Sequence, residues 1–256
     1  WVYTFHALGA RLLREFGTLA HVAPGFSIYD EADSLRVVKE AMAIKHVPET
    51  LVRADDVRSA ISRAKNGLRL PEDLFAADGY AEDREIAEVY DAYQQLLEQR
   101  NAVDFDDLLL RVALVLRDHP DVAERLSIRF RYLLIDEYQD TNRTQYLIAR
   151  LLAQQHRNIC ATGDPDQSIY AWRGADIRNI LEFEKDFPDA QVVRLEQNYR
   201  STPQILASAS RLIASNTQRK HKDLWCELPA GTPVRIWTFP NRSEEHTSEL
   251  QSLRTI

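Results

Sequence analysis

Cysteine is scarce: Cys160 and Cys226 lie far apart and neither sits in a CxxC pair. That excludes a zinc ribbon and a disulfide scaffold, and makes a reducing, cytoplasmic compartment the expectation. No run approaches the roughly eighteen consecutive apolar residues of a membrane span. The opening Trp1-Val2-Tyr3-Thr4-Phe5 has neither a charged leader nor a small-residue cleavage site, so no membrane association or secretion is expected. There is no surplus of positive charge either, since 32 Lys and Arg stand against 39 Asp and Glu for a net charge of -7. A broad basic field that would hold nucleic acid indiscriminately is thereby excluded, and any contact with DNA has to be local. Internal repeats and low-complexity linkers are missing as well. What remains is 256 residues, 45% hydrophobic and 28% charged, the make-up of a globular chain with room for one large domain or two ordinary ones.

Hydrophobic periodicity divides the chain. Val2 to Phe5 reads as a short strand, and Leu8, Leu12, Leu13 and Phe16 then keep helical spacing up to Gly17. From about Ser27 to Arg100 the apolar residues again keep helical spacing, broken by Pro48, Gly67, Pro71 and Gly79, which predicts an all-helical segment. After Asp104 a helix carrying Leu108, Leu109, Val112 and Leu116 leads to Tyr132-Leu133-Leu134-Ile135. That apolar run stops abruptly at Asp136-Glu137, the pattern of a buried parallel strand. Beyond it the reading alternates: helix 143–153, strand 158–162, helix near 177–183, strand 191–195, helix near 203–213 and strand 233–239. Strands alternating with helices predict an α/β fold with a parallel sheet, into which the helical segment is inserted. Ser243 to Ile256 is polar and without period, and reads as a solvated tail.

Three clusters carry chemistry. In Leu133-Leu134-Ile135-Asp136-Glu137-Tyr138-Gln139-Asp140 a strand delivers adjacent carboxylates to its C-terminal end, the edge of an open α/β sheet where ligands bind. An Asp there can hold Mg²⁺ and a neighbouring Glu can deprotonate a water attacking a phosphoryl group, although acids at such places also serve simply as caps. The second cluster, Gly163-Asp164-Pro165-Asp166-Gln167-Ser168-Ile169-Tyr170-Ala171-Trp172-Arg173-Gly174-Ala175, crowds two aromatics, an Arg and a Gln into one loop. Tyr and Trp offer faces to unpaired bases, Arg a phosphate or cation–π contact, and Gln a contact to a phosphate oxygen; a Trp near a helix start can equally be a core anchor. In the third, Leu195-Glu196-Gln197-Asn198-Tyr199-Arg200-Ser201, Tyr199 can stack on an adenine and Arg200 can neutralise charge on a transferred phosphate, or the two can be an ordinary surface pair.

In order, and nearly letter for letter, these clusters resemble motifs II, III and IV of the UvrD/PcrA/Rep-like superfamily 1 DNA helicases. Tyr3-Thr4-Phe5-His6 is similar to that family's early single-strand-binding motif, and Val103-Asp104-Phe105-Asp106-Asp107-Leu108-Leu109 to its return from the inserted 1B subdomain. The resemblance covers roughly Trp1 to Phe239. It implies a P-loop NTPase fold, a RecA-like parallel sheet with an inserted all-helical subdomain. Lobe 1A would comprise 1–25 and 104–196, helical 1B 26–103, and the start of lobe 2A 197–242. Residues 243–256 depart from the family and look similar to translated sequencing-adapter read-through. ATP and Mg²⁺ are the implied cofactors, with Asp136 as metal carboxylate, Glu137 as catalytic base, Gln167 as γ-phosphate sensor, Tyr199 as adenine stack and Arg200 as arginine finger. Thr4, Phe5, His6, Tyr170, Trp172 and Arg173 would line a path for single-stranded DNA. Single-strand/duplex junctions and repair or replication proteins are the implied partners, and 3′ to 5′ polarity is implied by the family alone.

The chain contains no GxxxxGK[ST], the turn that holds the β and γ phosphates in P-loop ATPases. In the family that turn precedes the early single-strand-binding motif, and motifs V and VI follow motif IV. The chain also opens without Met, so the expectation is a helicase fragment cut at both ends, with little ATPase activity of its own. Two other readings stay open: a helicase subunit of a helicase–nuclease complex, and a non-catalytic single-strand-binding module kept for Trp172 and Arg173. Asp136-Glu137 and Arg200 speak against the module, because a pure binder needs no metal carboxylate, base or finger.

Overall fold

Thr4 opens the first helix in the computed structural model, which describes residues 1–75, 81–217 and 219–238. Its backbone is extended and its hydroxyl accepts from Ala7 N–H at 3.2 Å, capping helix α1 (Phe5–Phe16). The strand expected over Val2 to Phe5 is therefore not formed; a β-rich apolar composition there yields to the N-cap signal of Thr4 within it. The predicted break at Gly79, the end of the predicted strand at Phe239 and the tail 243–256 lie outside the described residues.

The chain divides into two compact units, Trp1–Ala190 and Gln191–Ile256. In the first, α1 is followed by β1 (Ser27–Tyr29), α2 (Glu31–Ile44), α3 (Ala54–Asn66), α4 (Pro71–Phe75), α5 (Ala81–Gln99), β2 (Ala102–Asp104), α6 (Phe105–Asp118) and α7 (Pro120–Arg129). Next come β3 (Leu133–Ile135), α8 (Arg143–Ala153), β4 (Ile159–Ala161), α9 (Arg178–Leu181) and α10 (Phe183–Asp186). This is a mixed helix/strand unit with two small parallel sheets, β1 with β2 and β3 with β4. The helical segment thus begins and ends in a strand rather than being helical throughout. Three-residue strands leave no period to read, and Ser27-Ile28-Tyr29 merges into the spacing of α2.

Two apolar centres hold the unit together. The stripes of α1, α6, α7 and α8 meet around Leu12, Leu13, Leu109, Leu116, Leu126 and Ile148. Those of α2, α3 and α5 meet around Val38, Met42, Ile61, Tyr90, Tyr93 and Leu97. Each such side chain contributes about 1.5–3 kcal/mol on burial, against the entropy of fixing the helix that carries it. Reciprocal caps mark where helices start: Asp104 with Asp107 at α6, and Asn142 with Gln145 at α8.

β3 and β4 run parallel with Leu133 opposite Ile159 and Ile135 opposite Ala161. The strand expected to be buried is instead open on one side, and Leu134 is 80% exposed. Among the described residues β4 alone pairs with it, so an apolar run that reads as interior finds no cover there.

The second unit contains α11 (Pro203–Ile213), with Pro203 at its first turn and Leu206 buried beneath it. Gln197 and Trp225 form an isolated parallel bridge. No ladder forms over 191–195 or 233–238, where strands were expected. Both stretches have the apolar content of strands, but a strand also needs a neighbour to bond to, and among the described residues neither has one.

Candidate functional site

The C-terminal ends of β3 and β4 bring two of the three clusters together. Thr162 N–H donates to Ile135 O at 2.8 Å and Tyr138 N–H to Thr162 O at 3.0 Å, so the Asp136-Glu137 step lies beside the loop that starts at Gly163. Asp136 is exposed, and its Oδ1 accepts from Glu137 N–H at 3.0 Å. Glu137 is held in the left-handed region at φ 50°, ψ 43°, a conformation disfavoured for a side-chain-bearing residue. The short turn Tyr138–Asp140 follows at once, so the reversal throws the Glu137 side chain off the strand line while Tyr138 and Gln139 go inward. Burial, then the neighbouring Glu137 charge, push the Asp140 carboxyl above its ordinary pKa. Its Oδ1 is buried without a hydrogen-bond partner. Among the described residues no group of three His, Cys, Asp or Glu is gathered to hold a metal ion on protein ligands alone.

The second cluster forms a loop of two short turns, Pro165–Gln167 and Ala171–Arg173. Gln167 is exposed, and its Nε2 donates to Asp164 Oδ2 at 2.8 Å. Trp172 is 70% exposed, so it is not a core anchor. Its ring centroid lies 6.5 Å from that of Tyr170, and the Arg173 guanidinium sits 4.7 Å from the Trp172 ring and 5.8 Å from Tyr170. Two flat rings and a cation on one outward turn form a surface to which an unpaired base can add. Gly174 ends the turn at φ 86°, and a Cβ there would lie 3.2 Å from Asn66 Cβ of α3.

Three residues that the sequence reading passed over organise this region. Gln139, 1% exposed, sits between the clusters: its Nε2 donates to Glu137 Oε2 at 2.6 Å and its Oε1 accepts from Asp164 N–H at 2.9 Å. Asn66 donates to Asp106 Oδ1 at 3.0 Å and accepts from Asn142 Nδ2 at the start of α8. Lys65, 1% exposed, pairs with Asp104 at 2.7 Å and Asp107 at 2.9 Å, and Asp104 also accepts from Tyr93 Oη at 2.7 Å. A signal for Lys65 was available: with Val57, Ile61 and Ala64 it falls on the buried stripe of α3, where an unpaired Lys is not tolerated. Asp104 and Asp107, quoted for their likeness to the family, are those partners.

The early motif lies at the start of α1. Thr4 is the cap already described, and Phe5 packs partly against the core of α1 and α6. The half-buried His6 ring meets Phe105 edge-on at 6.1 Å, and burial holds its imidazole below the ordinary pKa. In the second unit Tyr199 is 77% exposed, with its hydroxyl donating to Gln197 Oε1 at 2.6 Å. The Asn198 side chain accepts from Arg200 N–H at 3.0 Å and Ser201 N–H at 2.8 Å, a local turn that leaves Tyr199 and Arg200 exposed.

A family model for the UvrD/REP helicase N-terminal domain matches residues 1–188, well over half the chain. The chain belongs to the UvrD/REP helicase family. It is 41% identical over 245 residues to the ATP-dependent DNA helicase PcrA of Bacillus subtilis (strain 168), covering 96% of this chain and 33% of that one. To PcrA of Leuconostoc citreum it is 41% identical over 257 residues, covering 99% of this chain and 34% of the relative. With PcrA of Staphylococcus epidermidis the identity is 38%, over 96% and 34% of the two chains. The chain therefore spans about a third of the length of these relatives. No described helix is long and apolar enough to cross a membrane.

Proposed function

We propose that this chain is part of an ATP-dependent DNA helicase, in which Mg-ATP hydrolysis drives movement along single-stranded DNA and separation of duplex, with 3′ to 5′ polarity as in the family resemblance. The carrying observation is the physical link between a strand-end Asp136-Glu137 pair and a loop that displays Trp172 and Arg173. A nucleotide centre and a base-stacking surface joined by two hydrogen bonds suit an enzyme whose hydrolysis answers to DNA.

In this reading β3 and β4 belong to a RecA-like P-loop sheet. Lobe 1A takes residues 1–25 and 104–196, the helical 1B insertion 26–103, and the start of lobe 2A 197–242. Asp136 suits Mg²⁺: it is one exposed, hard-oxygen carboxylate, and Mg²⁺ is commonly held by one or two carboxylates plus phosphates and water. When bound, the ion would neutralise charge on the β and γ phosphates. Glu137 accepts the proton of the attacking water and Gln167 senses the γ-phosphate. Tyr199 stacks on the adenine, and Arg200 offsets charge on the transferred phosphoryl group. Tyr170, Trp172 and Arg173, with Thr4, Phe5 and His6, form the single-strand path. The exposed rings of Trp172 and Tyr199 fit these roles, because neither is consumed by the core. Single-strand/duplex junctions are the substrate class, repair or replication the setting and the cytoplasm the compartment.

The test is DNA-stimulated ATP hydrolysis by this chain beside a version extended to the natural ends of its reading frame. Turnover in the extended protein only, abolished by Glu137→Gln with ATP binding retained, is the expected result. Absence of turnover in both, with single-strand binding in both, would replace this reading by that of a binding module.

A further inference from the structure

Gln139 touches both the strand-end acids and the aromatic loop through hydrogen bonds at its two ends. Its Nε2 donates to Glu137 Oε2 at 2.6 Å and to Asp140 Oδ2 at 3.3 Å. Its Oε1 accepts from Asp164 N–H at 2.9 Å, and its backbone carbonyl accepts from Ser168 Oγ at 3.4 Å. The orientation of the amide is dictated by these partners: flipped, its oxygen would face two carboxylates and its NH₂ would face an N–H. Gly163 closes the arrangement, because a Cβ there would fall inside van der Waals contact of Gln139 Oε1 and lie 2.8 Å from Ile180 Cδ1. A larger residue at 163 would press on the Gln139 amide.

A primary amide is planar and rigid, and this one is buried, so water cannot readily stand in for a lost partner. A displacement of the Asp164 backbone would pull on Oε1, and through the rigid amide on the Nε2–H bond to the Glu137 carboxylate. Asp164 is also the acceptor for Gln167 and opens the loop that ends in Trp172 and Arg173. We infer that Gln139 is a positioning residue that transmits the state of the Trp172 loop to the Glu137 carboxylate. This rests on the helicase reading above and deepens it: DNA on the loop sets the aim of the base through one amide.

The experiment uses the extended protein with oligo-dT as the single-strand probe, and a double-mutant cycle between Gln139→Met and Trp172→Ala. Gln139→Met keeps the length of the side chain and removes all three of its side-chain hydrogen bonds. It is expected to lower kcat at saturating oligo-dT by about tenfold to a hundredfold, the cost of a misaimed catalytic group, with KM for ATP and Kd for oligo-dT within roughly twofold. In the Gln139→Met background the further effect of Trp172→Ala on kcat should shrink to less than about twofold, as for two members of one coupled network. Gln139→Glu can still accept from Asp164 N–H but cannot donate to Glu137 in its charged form, and gives the same cycle if the Met variant does not fold. Factors that multiply, or a kcat within roughly twofold of the unsubstituted protein, would overturn the assignment. Absence of DNA-stimulated hydrolysis before any substitution would overturn the helicase reading, a failure visible separately from the cycle.

Discussion

Replacing Lys65 by Met tests whether the ion cluster under α3 holds the first unit together. The Lys65 ammonium lies 2.7 Å from Asp104 and 2.9 Å from Asp107, both buried, with the Tyr93 ring 5.0 Å away and Arg111 Nε 3.7 Å from Asp107. Met fills nearly the same space, so the cost is not chiefly a cavity. It is two buried carboxylates left without their cation, held by Tyr93 Oη, the Gln94 amide, a distant guanidinium and each other's backbone N–H. Breaking a buried pair from one side costs about 3–5 kcal/mol, a large share of the roughly 5–15 kcal/mol that holds a whole domain. For a unit of this size that corresponds to a fall in Tm of about 6–20 °C. Burial works against the Lys65 charge, but Asp104 and then Asp107 overcome it and hold its pKa above the ordinary value. Burial likewise opposes the Asp104 charge, and Lys65 outweighs it to hold that carboxyl below its ordinary value. The raised Lys contributes fully below its unfolded pKa of about 10.4, and the depressed Asp fully above about 3.9, so at pH 7 both terms are present. Urea unfolding followed by far-ultraviolet circular dichroism measures the loss. Lys65→Met/Asp107→Asn should be less destabilised than the two single changes sum to, by about 0.5–3 kcal/mol. A loss below about 1 kcal/mol for Lys65→Met would refute the reasoning, since it would place the pair in the range of exposed ones.

Trp172→Ala should weaken oligo-dT binding by the extended protein by about 1–3 kcal/mol, read by fluorescence anisotropy, and leave the urea midpoint nearly unchanged because the ring is exposed. Gly174→Ala should cost about 1–2 kcal/mol for the left-handed backbone plus whatever Asn66 must yield, whereas Gly25→Ala, at φ 78° with open space around it, should cost the backbone share alone. Equal losses in urea unfolding would show that the Asn66 contact does not count. Because burial lowers the folded pKa of His6, the unfolded chain binds the extra proton first. Stability should therefore fall as pH drops below about 6.5, and comparison of urea midpoints at pH 7.5 and about 5.5 for the parent and His6→Phe checks the sign.

Much of this architecture was legible where local chemistry and burial agree. Pro203 at a first turn and the apolar stripe behind it define α11, and Asp136-Glu137 at the end of an apolar run mark the edge of β3. Over 191–195 the reading had inferred a strand partner from one side only. Val192, Val193 and Leu195 have strand composition, yet among the described residues no ladder reaches them. For Trp172 the letters left a stacking face and a core anchor both open, and its exposure beside Arg173 removes the second. Gln139 was quoted within a cluster without a task, since nothing in the letters says that a glutamine is buried or what its two ends face. Lys65 was visible in principle from its phase on α3, but its meaning depends on Asp104 and Asp107, which only the fold brings near.

The end of α3 limits how this protein can be re-engineered. Asn66 hydrogen-bonds to α6 through Asp106 and to α8 through Asn142, Thr144 Oγ1 donates to the carbonyls of Lys65 and Asn66, and Gly174 of the aromatic loop abuts the Asn66 side chain. The helices between β1 and β2 are consequently not a cassette that can be lifted out at its two strands. A chimaera that exchanges them for those of a relative has to carry matching residues at 66, 106, 142, 144 and 174, positions spread over more than half of the first unit.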